Sequence, residues 1–137
     1  MSTAKRRQFL KGAALTGLAA SPAAAAAATS GKKKVDGGVK LGNLFYSSGL
    51  TGKGTSIGEQ TDDILKKHKA NLEALGSSME NVVKVTAFLA DVRKEKPEFN
   101  KAYAPYFPKD APSRTALGAI FPDDQTRVEI ELVAWVP

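Results

Sequence analysis

From Glu59 to about Leu75 the apolar positions recur at helical spacing, with Ile64, Leu65, His68, Leu72 and Leu75 on one face. Acids (Glu59, Asp62, Asp63) precede lysines (Lys66, Lys67, Lys69), the order a helix dipole favours, and Gly76 is a natural stop. The period then changes. Val82 to Leu89 is β-branched and mostly apolar, which predicts a strand with buried surfaces. A second helix is expected over roughly Lys94 to Phe107, with Pro97 in its first turn and Phe99, Tyr103, Tyr106 and Phe107 facing the core. Pro105 bends or ends it. Upstream, Gly37 to Leu41 and Leu44 to Ser48 read as two strands joined by the two-residue turn Gly42-Asn43. Gly49 to Gly58 reads as a loop whose glycines lack the spacing of a phosphate loop. Two strands finish the chain, about Ser113 to Phe121 and Thr126 to Val136, expected to form a hairpin across Pro122-Asp123-Asp124. The order is ββαβαββ. Helices returning to one sheet face imply an α+β sandwich, and the apolar positions on the other face call for cover by another subunit.

The first 28 residues break this pattern. Lys5-Arg6-Arg7-Gln8-Phe9-Leu10-Lys11 is followed by an apolar stretch from Gly12 to Leu18 and an alanine-rich run to Ala28. That is the layout of an export signal with small-residue cleavage sites such as Ala25-Ala26-Ala27. The paired arginines followed by Phe, Leu and Lys resemble a twin-arginine signal; an ordinary Sec signal carrying two arginines is the alternative. The run is short and alanine-rich, a poor membrane anchor. Residues 1–28 are therefore expected to be a signal peptide, 29–36 a polar linker and 37–137 the domain, exported or periplasmic and free of the membrane once the signal is removed. The signal holds four basic residues and no acid, so the formal +6 of the whole chain falls to +2 without it. The high pI is thus no sign of nucleic-acid affinity. There is no cysteine, which excludes disulfides, thiol catalysis and cysteine-based metal sites. What remains is small for a self-sufficient core, so oligomerisation would help.

One arginine stands out chemically. Arg114 lies within Ala111-Pro112-Ser113-Arg114-Thr115-Ala116-Leu117-Gly118-Ala119-Ile120-Phe121, and a cation among such residues is costly unless an anion or good hydrogen bonds compensate it. It either pairs with a structural carboxylate or waits for an anionic ligand, and its planar fork suits a carboxylate. Glu129 and Glu131 point to one side of the last strand, and Arg127 is expected to share it. They form either a charged solvent face or, with Arg114 on the preceding strand, the wall of one cavity. His68, the only histidine, sits on the apolar helix face and reads as a packed core residue; no second histidine or cysteine supports a metal site. Asp62-Asp63 and Asp123-Asp124 read as helix-start and turn acids. No serine is set in a nucleophile elbow.

Five blocks in order carry a family likeness: Asn43 to Gly49, Val83 to Asp91, Phe99-Asn100-Lys101-Ala102-Tyr103, Ala111-Pro112-Ser113-Arg114, and Val128-Glu129-Ile130-Glu131. Together they resemble the RidA (YjgF) family of enamine/imine deaminases over about residues 37 to 136. The resemblance implies a chorismate-mutase-like α+β domain, with a mixed sheet and two helices on one face. It implies homotrimers with a cavity at each subunit interface, which matches the uncovered sheet face. It also implies hydrolysis of 2-aminoacrylate-like enamines and imines to 2-keto acids and ammonia, with no metal or organic cofactor. Arg114 matches the arginine that binds the substrate carboxylate, and Glu129 the glutamate that positions water. Ser48 and Gly49 match the cavity rim, Asn100 the asparagine of the second helix, and Ala116 a backbone contact two residues after the arginine.

Where the family's deaminases often carry a tyrosine before the first strand, this chain reads Lys34-Val35-Asp36-Gly37-Gly38, which alters the cavity wall. A non-catalytic trimeric protein that binds small acids, or acts like a chaperone, is the rival reading. RNA cleavage has also been attached to the family, but the near-neutral mature domain lacks a basic stripe with stacking aromatics. The signal reading is open to test: Arg6→Lys with Arg7→Lys is expected to trap the protein in the cytoplasm. Cell fractionation showing normal export of that double variant would defeat it.

Overall fold

A computed structural model describes residues 31–137; the expected signal lies outside them. Strands β1 (Lys32–Val35), β2 (Gly38–Leu41), β3 (Leu44–Ser47) and β4 (Leu50–Thr51) are followed by helix α1 (Ile57–Ala74). Then come β5 (Val82–Leu89), helix α2 (Val92–Tyr103), β6 (Ser113–Gly118) and β7 (Val128–Trp135). All strands join one mixed sheet in the order β1-β2-β3-β7-β5-β6, with β4 alongside β7. Both helices lie over one face of it.

The reasons are local. Ser56 caps α1 in a capping box: its hydroxyl accepts from Glu59 N–H, and the Glu59 carboxylate accepts from the backbone of Ser56 and Thr55. The buried stripe of α1 contains the expected Ile64, Leu65, His68 and Leu72. Along β7 the even positions Val128, Ile130, Leu132 and Ala134 are buried and face the helices, against Val85, Ala87 and Leu89 of β5. The two-residue Gly42-Asn43 turn joins β2 to β3 as expected, with Gly42 at φ 57°.

Four expectations change. The polar lead-in at 29–36 contains β1, an edge strand whose lysines hide its alternation; charged edge strands resist pairing with other chains. Its hairpin turn is Asp36-Gly37, with Gly37 at φ 78°. The Gly49–Gly58 loop contains β4. The second helix starts earlier, because Asp91 caps it by accepting from Lys94 N–H, and Pro97 falls inside it. Finally, β6 and β7 are not a hairpin. β5 lies between them, parallel to β6 and antiparallel to β7. The β5-α2-β6 segment is long enough for the crossover a parallel pair requires.

His68 is the packed core histidine expected. It is fully buried, and its Nε2 lies 2.9 Å from the carbonyl of Ile130, tying α1 to β7. Burial holds its pKa below the usual 6.5, although the carbonyl partly opposes that. The folded state therefore favours the neutral ring, and the unfolded chain takes up the proton first as pH falls. His68 contributes its full stability above about pH 6.5 and loses it progressively below, toward the lower folded-state value. Chemical denaturation midpoints are expected to fall between pH 7.5 and pH 5 in the wild type, with a shallower fall in His68→Gln. Equal slopes would remove His68 as the cause.

Candidate functional site

The sheet register decides where each candidate residue stands. On β7 the odd positions Glu129, Glu131, Val133 and Trp135 face away from the helices. Glu129 pairs with Phe88 and Glu131 with Thr86 on β5. The two glutamates thus share one face, as expected. Arg127 does not join them. It precedes the first residue of β7, and its guanidinium lies 2.6 Å from Glu95 of α2. Its backbone N–H donates to the buried Gln60 side chain, which also donates to Gly54 and Gln125 carbonyls. Gln60 thereby pins both the loop before α1 and the entry to β7.

Glu129 belongs to a cluster with Ser48 and Gly49. β3 and β4 run beside β7 as one interrupted strand, pairing with Val133–Trp135 and then with Glu129–Ile130. Ser47 fills the interruption, its hydroxyl accepting from Leu132 N–H at 2.8 Å. Ser48 and Gly49 form the kink, held by a bond from Ser48 N–H to the Gly37 carbonyl. The Glu129 carboxylate rests directly on Gly49: a Cβ there would lie 2.0 Å from Glu129 Oε1. Only glycine leaves the carboxylate that place.

Arg114 stands elsewhere. It pairs with Val85, which in turn pairs with Leu132, so it belongs to the helix-covered face. Its side chain reaches past the exposed edge strand β6 toward α2. The guanidinium carbon lies 4.7 Å from the ring centre of Tyr103 and 5.5 Å from that of Phe99. Such distances support cation–π attraction. Among the described residues no carboxylate pairs with it. Ala116 pairs with Ala87 on the same face, two residues along the strand. Asn100 comes from the same stretch of α2, and its buried Oδ1 has no hydrogen-bond partner among the described residues. The hydroxyl of Tyr103 is likewise buried and unpartnered, and burial pushes its pKa up to about 12 against the opposing charge of Arg114. Buried polar atoms seldom go unpaired, and in the core the Thr61 hydroxyl and His68 Nδ1 stand the same way.

The candidates therefore form two clusters, not one. Ser48, Gly49 and Glu129 lie on one side of the sheet; Asn100, Arg114 and Ala116 lie on the other, beyond β5. The anticipated hairpin cavity does not exist within one chain. The open face also exposes Leu41, Leu44, Tyr46, Leu117 and Trp135, the last 47% exposed. A depression of about 220 Å³ on it is lined in part by Lys84, Thr86 and Glu131. No group of His, Asp or Glu that could hold a metal occurs among the described residues.

A family model described as Endoribonuclease L-PSP matches residues 25–136. The chain belongs to this family, the RidA/YjgF family. Reactive Intermediate Deaminase A of Arabidopsis thaliana chloroplasts is 35% identical over 104 residues, which cover 70% of this chain and 55% of that one. The chain thus spans little more than half of that relative. A RutC family protein of Pyrococcus horikoshii is 32% identical over 105 residues, 71% of this chain and 82% of its own. Among solved structures, a Mycobacterium tuberculosis member of the YjgF/YER057c/UK114 family superposes with a TM-score of 0.69 at 28% identity, covering 73% of this chain and 85% of that one. The architecture is the YjgF fold.

The contact at Gly49 makes a structural prediction. Gly49→Ala is expected to fold and to push the Glu129 carboxylate off the β3–β4 kink, visible in a crystal structure of the variant. An unmoved carboxylate would mean the backbone yields instead.

Proposed function

We propose that this protein hydrolyses reactive enamine and imine intermediates related to 2-aminoacrylate, yielding a 2-keto acid and ammonia. The reading places the active site between neighbouring protomers of a homotrimer, in an exported protein. The observation that carries it is the division of the candidate residues between the two sheet faces. Arg114 can approach a Glu129 carboxylate only if that carboxylate belongs to another copy. The exposed apolar residues of the open face give a second copy a reason to dock. The name of the Arabidopsis relative adds chemical support at 35% identity.

The chemistry follows from the groups. Arg114 holds the substrate carboxylate through two parallel N–H bonds and fixes the imine carbon beside the neighbouring Glu129. The enamine first tautomerises to the imine. Glu129 orients a water and accepts its proton as the oxygen bonds to the imine carbon. Glu129 passes that proton to the imine nitrogen, giving the carbinolamine; the hydroxyl proton then follows by the same carboxylate as the C–N bond breaks, so ammonia leaves, the keto-acid carbonyl remains and Glu129 is again ionised. Ser48, Gly49 and the Ala116 backbone line the rim. Asn100 stands on the same stretch of α2 as Tyr103, on the Arg114 side.

The test is ammonia and keto-acid release from imines generated in situ by an amino-acid oxidase. Arg114→Ala and Glu129→Gln are each expected to lower kcat/KM about 100-fold. Refolding the two inactive variants together should restore activity to about a quarter of wild type, because in randomly mixed trimers one interface in four joins an intact arginine to an intact glutamate. No recovery would place both groups in one protomer or exclude the shared site. Tight keto-acid binding without turnover would favour the non-catalytic binder.

A further inference from the structure

We infer that Tyr103 is a positioning residue for Arg114, its ring face doing what a carboxylate does for most constrained arginines. This rests on the functional reading above, and it concerns how the cation is made ready. An arginine meant to receive a free carboxylate faces a conflict. Left unrestrained, the long side chain loses substantial rotamer freedom when the ligand binds. Restrained by an internal acid, its fork is already occupied.

An aromatic ring face resolves that conflict. The guanidinium carbon sits 4.7 Å from the centre of the Tyr103 ring and 5.5 Å from that of Phe99. A ring face attracts the cation through its quadrupole without occupying the fork in the two-bond pairing that a carboxylate makes, so the fork stays open to a ligand. The platform is itself rigid. Tyr103 is only 6% exposed and packs against Phe99 and Phe107, with ring centres 5.5 Å and 4.7 Å away. The stripe Phe99–Tyr103–Phe107 follows the helical i, i+4 spacing through α2 and the short 3₁₀ turn after it (Ala104–Tyr106), so the same helix that seals the core also sets the arginine. Arg114 has no hydrogen bond or ion pair among the described residues that could do this instead.

The experiment separates the π face from packing. Full-length protein carries Tyr103→Phe, then increasingly fluorinated phenylalanines at the same position, which keep the shape but progressively cancel the quadrupole. Affinity for 2-oxobutyrate is measured by calorimetry in the wild-type background and with Arg114→Ala. Tyr103→Phe should bind within about twofold of wild type, and the most fluorinated ring should bind about two- to tenfold more weakly. With Arg114→Ala in place, fluorination should change nothing further. An unchanged affinity across the series, or an equal loss in both backgrounds, would overturn the positioning role while leaving the deaminase reading intact. A wild-type protein that neither binds the keto acid nor releases ammonia from imines would instead overturn the deaminase reading, and the positioning role with it. Tyr103→Leu is a poorer probe, because it also removes core packing.

Discussion

Register along β5 and β7 is the constraint from which the site geometry follows. Side chains alternate between faces, so one pairing settles the side of every functional group. Val128, Ile130 and Ala134 are fully buried under the helices, and a slip of one residue would expose them all. That fixes Glu129 on the opposite face. β5 carries the same alternation one strand further, to Arg114, which pairs with buried Val85 and so must lie on the helix side. The packing that stabilises the domain thus also holds the cation and the acid apart. A protomer folded around this core cannot complete the proposed site alone.

Each half is held by means that leave its charge unspent. Glu129 rests on the bare backbone of Gly49, where a larger residue would collide with it. The kink that presents Gly49 is secured by Ser47, which takes up the Leu132 N–H, and by Ser48, bonded to Gly37. Arg114 rests on aromatic rings. A fully buried, unpaired guanidinium would be untenable, but Arg114 is exposed at an edge strand and keeps part of its hydration. The elements that need strong internal ion pairs lie elsewhere. Arg127 and Glu95 join α2 to the start of β7, and Gln60 bonds three separate backbone groups nearby. The charged groups that tie these elements together are paired, and Arg114 is not.

Much of this was legible in the chain. Both helices, the β2–β3 hairpin and β5 follow from local periodicity and turn chemistry, and the shared face of Glu129 and Glu131 from simple alternation. Arg114 and Glu129 stand out because charged residues in apolar strands need a reason. What local pattern cannot carry is partner choice. Two successive strands with a short polar connection look like a hairpin, yet β6 pairs with β5 because α2 returns the chain to that edge. β1 was hidden by three lysines, although Asp36-Gly37 is a strong hairpin signal. Alternation puts Arg127 beside the two glutamates, but the strand begins one residue later. Tyr103 was visible as a core aromatic, and the i, i+4 stripe it shares with Phe99 and Phe107 was the one available hint of a platform.

The open sheet face joins stability to function. A domain this small buries a limited core, and it leaves Leu41, Leu44, Tyr46, Leu117 and Trp135 exposed on one surface. Leu44 and Trp135 are direct cross-strand partners, as are Leu41 and Leu44, so these apolar positions form a continuous row across β2, β3 and β7. Glu129 stands on that same face, while Arg114 stands at the opposite edge of the sheet on the other side. In the proposed assembly, covering the apolar row and delivering a neighbour's glutamate are one event. Association then stabilises the fold, desolvates the catalytic carboxylate and completes the cation–acid pair together. Selection for a stable trimer and selection for activity would act on the same residues, and neither could relax without the other.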